Sequence, residues 1–172
     1  MKSDGSRSDR SPPPIHPVGF FTGVQIRPVI LGVIVDYIAT YATMQAYLVL
    51  FVLKHVPKDG ELPPEAIGQS LTNDMLMVAF LIGSLGTAIG GFVAARKAGV
   101  FEAKHGAFVG LGSLIVSFIE LLLQEGPPAG PEWFRMISVL AIIPAGALGG
   151  YVAERLKGAT VSTSGRSGPS PG

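Results

Sequence analysis

The chain has 172 residues, of which 48% are hydrophobic and 15% are charged, whereas about 25% of residues are charged in an average soluble domain. A formal net charge of +1 provides no basic surface field of the kind that nucleic-acid binding requires, so no nucleic-acid partner is expected. The lack of cysteine excludes disulfides, thiolate nucleophiles and zinc–thiolate sites.

The N-terminal segment is rich in Pro, Ser and charged residues, and it passes Pro17 before any long apolar run begins. A cleavable signal peptide would have a short apolar region directly after its basic start, so none is predicted. A segment of this composition cannot bury enough apolar surface to offset its ordering entropy. We therefore predict disordered tails over residues 1–28 and, for the same reason, over the Gly/Ser/Thr/Pro-rich residues 158–172.

Four apolar stretches follow, and each approaches the roughly 20 residues that a helix needs to cross about 30 Å of hydrocarbon. The first and third contain one charge each, Asp36 and Glu120, and the other two contain none. A water-soluble helix would show a polar face every 3.6 residues, and strands of a membrane barrel would alternate. The sequence therefore predicts an all-α domain over residues 29–157, with transmembrane helices at about 29–53, 75–95, 106–123 and 136–153.

Proline and glycine mark the segments between these helices as loops, over residues 57–72 and 126–131. Thr72 or Asn73 is expected to cap the second helix, because either side chain can accept a hydrogen bond from a first-turn N–H. Pro144 lies inside the fourth stretch, where it frees a backbone carbonyl and is expected to kink the helix.

Lys and Arg are unevenly distributed between the segments that flank the helices. If the N-terminus is inside the cell, ten of these residues are cytoplasmic and three are outside. Short segments rich in Lys and Arg stay in the cytoplasm, so we predict a multi-pass protein of the cell membrane with both termini cytoplasmic. The ten are Lys2, Arg7, Arg10, Arg27, Arg96, Lys97, Lys104, Arg155, Lys157 and Arg166, and the three are Lys54, Lys58 and Arg135.

The second and fourth stretches end in similar sequences. Residues 90–99 read GGFVAARKAG and residues 149–158 read GGYVAERLKG, so six of ten positions are identical. The starts of the first and third stretches, 27–32 and 105–110, each place a basic or titratable residue five positions before a glycine. The pattern predicts two copies of a helical hairpin related by an axis along the membrane normal. The alternative is that two unrelated glycine-rich helices end in similar residues.

Small residues recur at four-residue spacing in the second and fourth stretches. Lipid offers no hydrophobic gain on helix association, so small residues that let two backbones approach closely supply the packing energy. We predict glycine-zipper packing faces, either within one chain, which we favour, or between two chains. Their residues are Gly86, Gly90, Gly91, Gly146, Gly149 and Gly150, and Arg96 and Arg155 are predicted to anchor the helix ends at the lipid headgroups.

The segment of residues 90–99, followed by HGAFVG at 105–110, resembles a Gly-Gly-x-x-Ala-x-Arg…His-Gly pattern in small uncharacterised four-helix integral membrane proteins of bacteria. The resemblance implies a four-helix fold and a location in the bacterial inner membrane. Such families have no established activity, so it implies no catalytic residue.

Asp36 and Glu120 are the charged residues inside the predicted spans. A charge at mid-bilayer costs roughly 2.5 to 3.5 kcal/mol, so an intramembrane acid is a functional hypothesis by default. Each acid lies on a polar stripe with helical spacing, and two facing stripes would line a hydrated path for a cation or a proton. The stripes are Asp36, Thr40, Thr43 and Tyr47, and Ser113, Ser117, Glu120 and Gln124; the candidate ion or proton site is Asp36, Thr40 and Glu120.

Both acids also have a structural interpretation. Asp36 is then a buried acid whose hydrogen bonds are satisfied by hydroxyl groups of the bundle, and Glu120 is an ordinary residue that reaches the membrane interface. The two interpretations stay open at this point.

No phosphate-binding loop, nucleophile elbow or dinucleotide fingerprint occurs, so no enzymatic activity and no cofactor are predicted. The histidines, His16, His55 and His105, are not at ligand spacing, so no metal site is predicted.

The leading interpretation is a structural or accessory subunit that packs through its Gly/Ala faces. Its partners are the lipid bilayer and either a second copy or a larger membrane complex. The alternative is a small transporter or channel component that uses Asp36, with Glu120 as a second site.

Overall fold

The computed structural model describes residues 19, 21–52, 72–124 and 130–164 of the chain, without the side chains of residues 51–52 and 159–164. The predicted tail residues 1–18 and 165–172 and most of both predicted loops lie outside the described residues. The same holds for Lys54, Lys58, His16, His55 and Arg166.

The described residues form four α-helices and no strand. Each helix is long and apolar enough to cross a membrane, over Ile26–Leu50, Asn73–Ala98, Glu102–Leu123 and Glu132–Gly158. For the described residues, the prediction of an all-α fold with four helices of this length and composition is therefore confirmed. The helices are α1 (Ile26–Tyr47, followed by a π-helical turn, Leu48–Val52), α2 (Asn73–Ala98), α3 (Glu102–Leu123) and α4 (Glu132–Ser164).

Two helices extend into the predicted tails. Residues 26–28 belong to α1, because Pro28 lies in the first turn, where its missing N–H would have no intrahelical partner. Residues 158–164 belong to α4, since a single glycine such as Gly158 costs a helix only about 1 kcal/mol relative to alanine. Pro144 lies within α4, and the helix continues through it.

Local sequence also determines how α2 begins and how it joins α3. Thr72 caps α2, because its hydroxyl accepts a hydrogen bond from the Met75 N–H at 3.3 Å. Gly99 ends the helix in the left-handed conformation, with φ +69°. Phe101 also has a positive φ, of 47°, and directly precedes α3, so α2 and α3 are joined by a very short turn.

The four helices form a bundle in which α2 contacts each of the other three. Helix α3 also contacts both α1 and α4. Helices α1 and α4 lie on opposite sides of the α2/α3 pair, and within the described residues their backbones do not approach to a Cα–Cα distance of 8 Å.

Close backbone contacts hold one half of this bundle together. A Cβ atom on Gly91 would collide with the Gly146 carbonyl oxygen, and one on Gly150 with the Glu102 carbonyl oxygen. Only glycine permits helix backbones to lie this close. We call this part the glycine half, and it contains Gly32, Gly90, Gly91, Gly106, Gly110, Gly146, Gly149 and Gly150.

The helices pack much less closely in the other half, which we call the open half. It comprises α1 after Asp36, α2 before Gly86, α3 after Ser113 and α4 before Ala145. Leu76 is the one buried residue in these parts of the four helices. Leu122 and Leu140 are exposed by 70% and 72%, as expected for side chains that face lipid.

We expect Gly150→Ala to destabilise the protein by about 1 to 3 kcal/mol, because the added methyl group meets the backbone of α3. The matched control is Gly83→Ala, also within a helix, where nothing lies within 4 Å of the added Cβ. The control is expected to be neutral or stabilising by up to about 1 kcal/mol. Thermal unfolding in detergent measures both, and equal melting temperatures for the two variants would contradict the role of the glycine half.

Candidate functional site

Asp36 lies where the glycine half meets the open half, and its side chain is buried, with 5% of its surface exposed. Small residues of α2 make room for it. A Cβ on Gly90 would lie 2.8 Å from the Asp36 Cβ, and a Cβ on Gly86 would lie 3.1 Å from the Asp36 Oδ1. Two of the predicted packing glycines therefore also position the acid.

Three hydroxyl groups from three helices surround the Asp36 carboxylate. Thr40 donates to Oδ1 at 3.1 Å from one turn further along α1, and Ser113 of α3 donates to Oδ2 at 2.5 Å. Thr87 of α2 lies 3.3 Å from Oδ1. These donors provide the hydrogen bonds that a buried carboxyl group requires.

The Thr87 hydroxyl has two possible acceptors, since it also lies 3.1 Å from the Gly83 carbonyl oxygen. A hydroxyl has one proton to donate and can also accept. Thr87 can thus donate to an ionised Asp36, or donate to Gly83 and accept a hydrogen bond from a protonated Asp36. The arrangement accommodates either protonation state of the acid without movement of a helix.

A cavity of about 310 Å³ extends from Asp36 into the open half, between all four helices. Its polar groups are hydroxyls and carboxyls, and four aromatic residues contribute to the rest of its lining. The lining includes Thr40, Ser84, Thr87, Ser113, Ser117, Ser138 and Glu120, together with Tyr37, Tyr41, Met44, Phe80, Phe134 and Ile142.

Glu120 lines the same cavity from its outer part and is exposed. It lies seven residues after Ser113 on α3, which corresponds to about 10 Å along the helix axis at 1.5 Å per residue. The structure therefore brings the three candidate residues Asp36, Thr40 and Glu120 to one cavity, with the two carboxyl groups at different depths.

The two predicted polar stripes face each other only in part. Ser113 and Ser117 line the cavity with Glu120, but Thr43 lies on another face of α1 and lines a separate groove against α2. Tyr47 and Gln124 are not among the residues that line the cavity. The part of the α1 stripe that lines the cavity is therefore shorter than its sequence spacing suggested.

Sequence reasoning missed the contributions of α2 and α4 to this site. Ser84 and Thr87 of α2 and Ser138 of α4 all line the cavity, although the apolar stretches of both helices contain no charged residue. The available signal was the spacing of Ser84 and Thr87, which are three residues apart and therefore share a helix face.

The two predicted anchors are exposed and have the same local arrangement. The Arg96 guanidinium lies 5.5 Å from the Phe92 ring centroid, and that of Arg155 lies 4.9 Å from the Tyr151 ring centroid. Arg155 Nε also donates to the Tyr151 hydroxyl at 2.6 Å. In each copy of the repeated segment an arginine stacks on the aromatic residue four positions before it.

Polar contacts connect the helix ends beyond the glycine half. His105 is fully buried, accepts a hydrogen bond from the Gln25 N–H at Nε2 (2.9 Å), and has Nδ1 at 3.1 Å from the Phe101 carbonyl oxygen. Since Nε2 accepts, the proton of this neutral imidazole is assigned to Nδ1. Lys157 bonds both Glu102 at 2.8 Å and the Gly99 carbonyl oxygen at 2.6 Å. These contacts close the end of the bundle opposite the cavity.

Comparison with family models, with curated proteins and with solved structures finds no match to this chain. The resemblance of the central glycine segment to small bacterial membrane proteins therefore stays a prediction, and the site is interpreted from its own geometry.

We expect the cavity to admit water, and the lack of native cysteine allows a direct measurement. In detergent, Ser117→Cys should react with a charged thiosulfonate reagent at least about tenfold faster than Phe118→Cys or Val109→Cys, because the thiolate must form in water. Phe118 is exposed but lies outside the cavity lining, and Val109 is fully buried. Equal rates for Ser117→Cys and Phe118→Cys would show that the cavity is not hydrated.

Proposed function

We propose that this protein binds a cation or a proton at Asp36 and exchanges it through the cavity of the open half, as a small non-enzymatic transporter or channel component. The observation that supports this most is the Asp36 carboxylate itself, which is buried within an apolar bundle and yet faces a cavity of about 310 Å³. Intramembrane acids are costly and mark ion or proton pathways.

Charge balance at Asp36 supports the same proposal. Thr40, Thr87 and Ser113 can stabilise a negative charge through hydrogen bonds, but none of them neutralises it. No Lys or Arg is among the residues that line the cavity. A proton or a cation at Asp36 would remove the cost of an uncompensated charge in this environment.

The glycine contacts weaken the case for the accessory subunit that the sequence favoured. Each of the six predicted packing glycines meets another helix of the same chain, so these faces are already used for the internal fold. They are not available for a partner subunit or for a second copy. We therefore rank the accessory role below cation handling.

In this conformation the cavity extends from Asp36 toward the open half of the bundle. The path from Asp36 into the open half is lined by the hydroxyls of Ser84, Ser117 and Ser138, whereas the glycine half closes the other direction. A transporter would need a second conformation in which the glycine half separates. A protein that only binds its cation would not need this second conformation.

We further propose that both termini are cytoplasmic, which places the open half on the outer side of the membrane. Within the described residues, Arg27, Arg96, Lys97, Lys104, Arg155 and Lys157 lie near the glycine-half ends of their helices, and Arg135 lies near the opposite end. This distribution agrees with retention of Lys and Arg in the cytoplasm.

The proposal of two repeated hairpins rests on the sequence similarity and on the matching Arg96/Phe92 and Arg155/Tyr151 stacks. The bundle is not strictly two-fold symmetric, however. An axis that exchanges the hairpins would pair the close α2/α3 approach with a close α4/α1 approach. Within the described residues no Cα atom of α1 lies within 8 Å of a Cα atom of α4. If the two hairpins arose by duplication, the packing of α1 and α4 is therefore the part of the bundle that has diverged most.

The orientation can be tested with the same cysteine chemistry in intact cells. An impermeant thiol reagent added outside should modify Ser117→Cys, while Lys97→Cys, at the exposed end of α2, should react only after lysis. Gel-shift labelling measures both variants. Modification of Lys97→Cys in intact cells would require the opposite orientation.

We expect Asp36→Asn to reduce cation or proton flux into reconstituted vesicles by at least roughly tenfold, because the amide removes the group that binds the charge. Dye-reported proton uptake and alkali-ion uptake measure the flux. Asp74→Asn is the matched control, since Asp74 is exposed in the first turn of α2 and lies outside the cavity.

A melting temperature in detergent equal to that of the unmodified protein would show that Asp36→Asn still folds. No flux in the unmodified protein under any imposed ion gradient, together with no Asp36-dependent cation binding, would rule out the proposed function.

A further inference from the structure

We propose that the preferred ligand of the Asp36 cavity is a small organic ammonium ion with at least one N–H group. This inference rests on the proposed cation binding at Asp36 and specifies its substrate class. It depends on three properties of the cavity: the acceptor capacity of the carboxylate, the charge of the lining and the aromatic side chains.

The acceptor capacity favours a ligand that donates one hydrogen bond. A carboxylate has about four acceptor positions, two on each oxygen. Thr40 and Thr87 approach Oδ1, and Ser113 approaches Oδ2. Among the described residues no further donor approaches Oδ2, so one acceptor position there can receive an ammonium N–H as a charge-assisted hydrogen bond.

The charge of the lining favours a monovalent cation. Asp36 provides one negative charge at the inner end, and Glu120 lies about 10 Å further along at helical rise. Divalent ions such as calcium take six to eight oxygen ligands, usually from several carboxylates. Within the described part of the chain, no three acidic or imidazole groups lie close enough together to hold a metal ion.

The size and lining of the cavity favour an organic ion over a bare alkali ion. A volume of about 310 Å³ falls at the lower end of the range for small-molecule sites, roughly 300 to 1,000 Å³. Tyr37, Tyr41, Phe80 and Phe134 come from three helices and contribute aromatic side chains to its lining. Aromatic rings attract alkylammonium groups through cation–π contacts while their carbon surface packs against the alkyl chains. An alkali ion would leave this lining without a role.

The test uses the purified full-length protein in detergent and three probes: triethylammonium, tetraethylammonium and sodium chloride. Isothermal titration calorimetry should show saturable binding of triethylammonium that is weakened at least about tenfold by Asp36→Asn. Tetraethylammonium has no N–H to donate to Oδ2 and should bind about five- to tenfold more weakly than triethylammonium. Sodium chloride at the same concentration should not displace triethylammonium.

A second variant separates the aromatic contribution from the folding of the site. Phe80→Leu keeps an apolar side chain but removes a ring, so it should weaken triethylammonium binding severalfold. An unchanged melting temperature in detergent would show that Phe80→Leu still folds. The single tryptophan, Trp133, provides an optical readout of ligand binding. Its ring lies 6.0 Å from the ring of Phe134, which lines the cavity.

The outcomes distinguish this inference from the proposed function. Asp36-dependent binding of sodium ions or protons without binding of triethylammonium would overturn the ligand class and leave the proposed function standing. Binding of triethylammonium that is equal in the unmodified protein and in both variants would mean adsorption outside the cavity and would also overturn it. Absence of any Asp36-dependent binding would overturn both.

Discussion

The contact on which this structure depends is the close approach of helix backbones at glycine. In lipid, helices gain nothing by hiding apolar surface from water, so their association depends on van der Waals packing between closely spaced backbones. Gly91 against Gly146, and Gly150 against Glu102, bring α2 and α3 to α4 with no side chain between them. These contacts occur in one half of the bundle, and that half is therefore closed.

The position of Asp36 follows from where this close packing ends. In the glycine half, the helix backbones meet directly at glycine. Gly86 and Gly90 open just enough space for Asp36, and Thr87 and Ser113 supply hydroxyls from the neighbouring helices. Beyond this level the helices separate and form the cavity. The burial of Asp36, the approach of its hydroxyl donors and the cavity therefore all follow from the level at which the close packing at glycine ends.

Much of the fold could be predicted from the sequence, and less of the site. A charge-free stretch of about 20 apolar residues has one practical way to satisfy its backbone in lipid, so the existence of the helices was determined locally. Their ends were less certain, since Pro28 and Gly158 are both compatible with a helix. The two acids could be predicted as site residues because a charged group within an apolar helix has a high free-energy cost. Ser84, Thr87 and Ser138 could not, because isolated hydroxyl groups are common in apolar helices.

The sequence by itself determined the four apolar helices, the two acids within the apolar stretches and the faces on which the glycines lie, because these depend on composition and on helical periodicity. The tertiary structure alone decided that the glycine faces pair within one chain and that α1 and α4 stay apart. It also decided that Asp36 meets Thr87 and Ser113, which lie 51 and 77 residues away in the chain. Periodicity specifies a face of one helix, whereas the partner of that face depends on which backbones can approach one another in three dimensions.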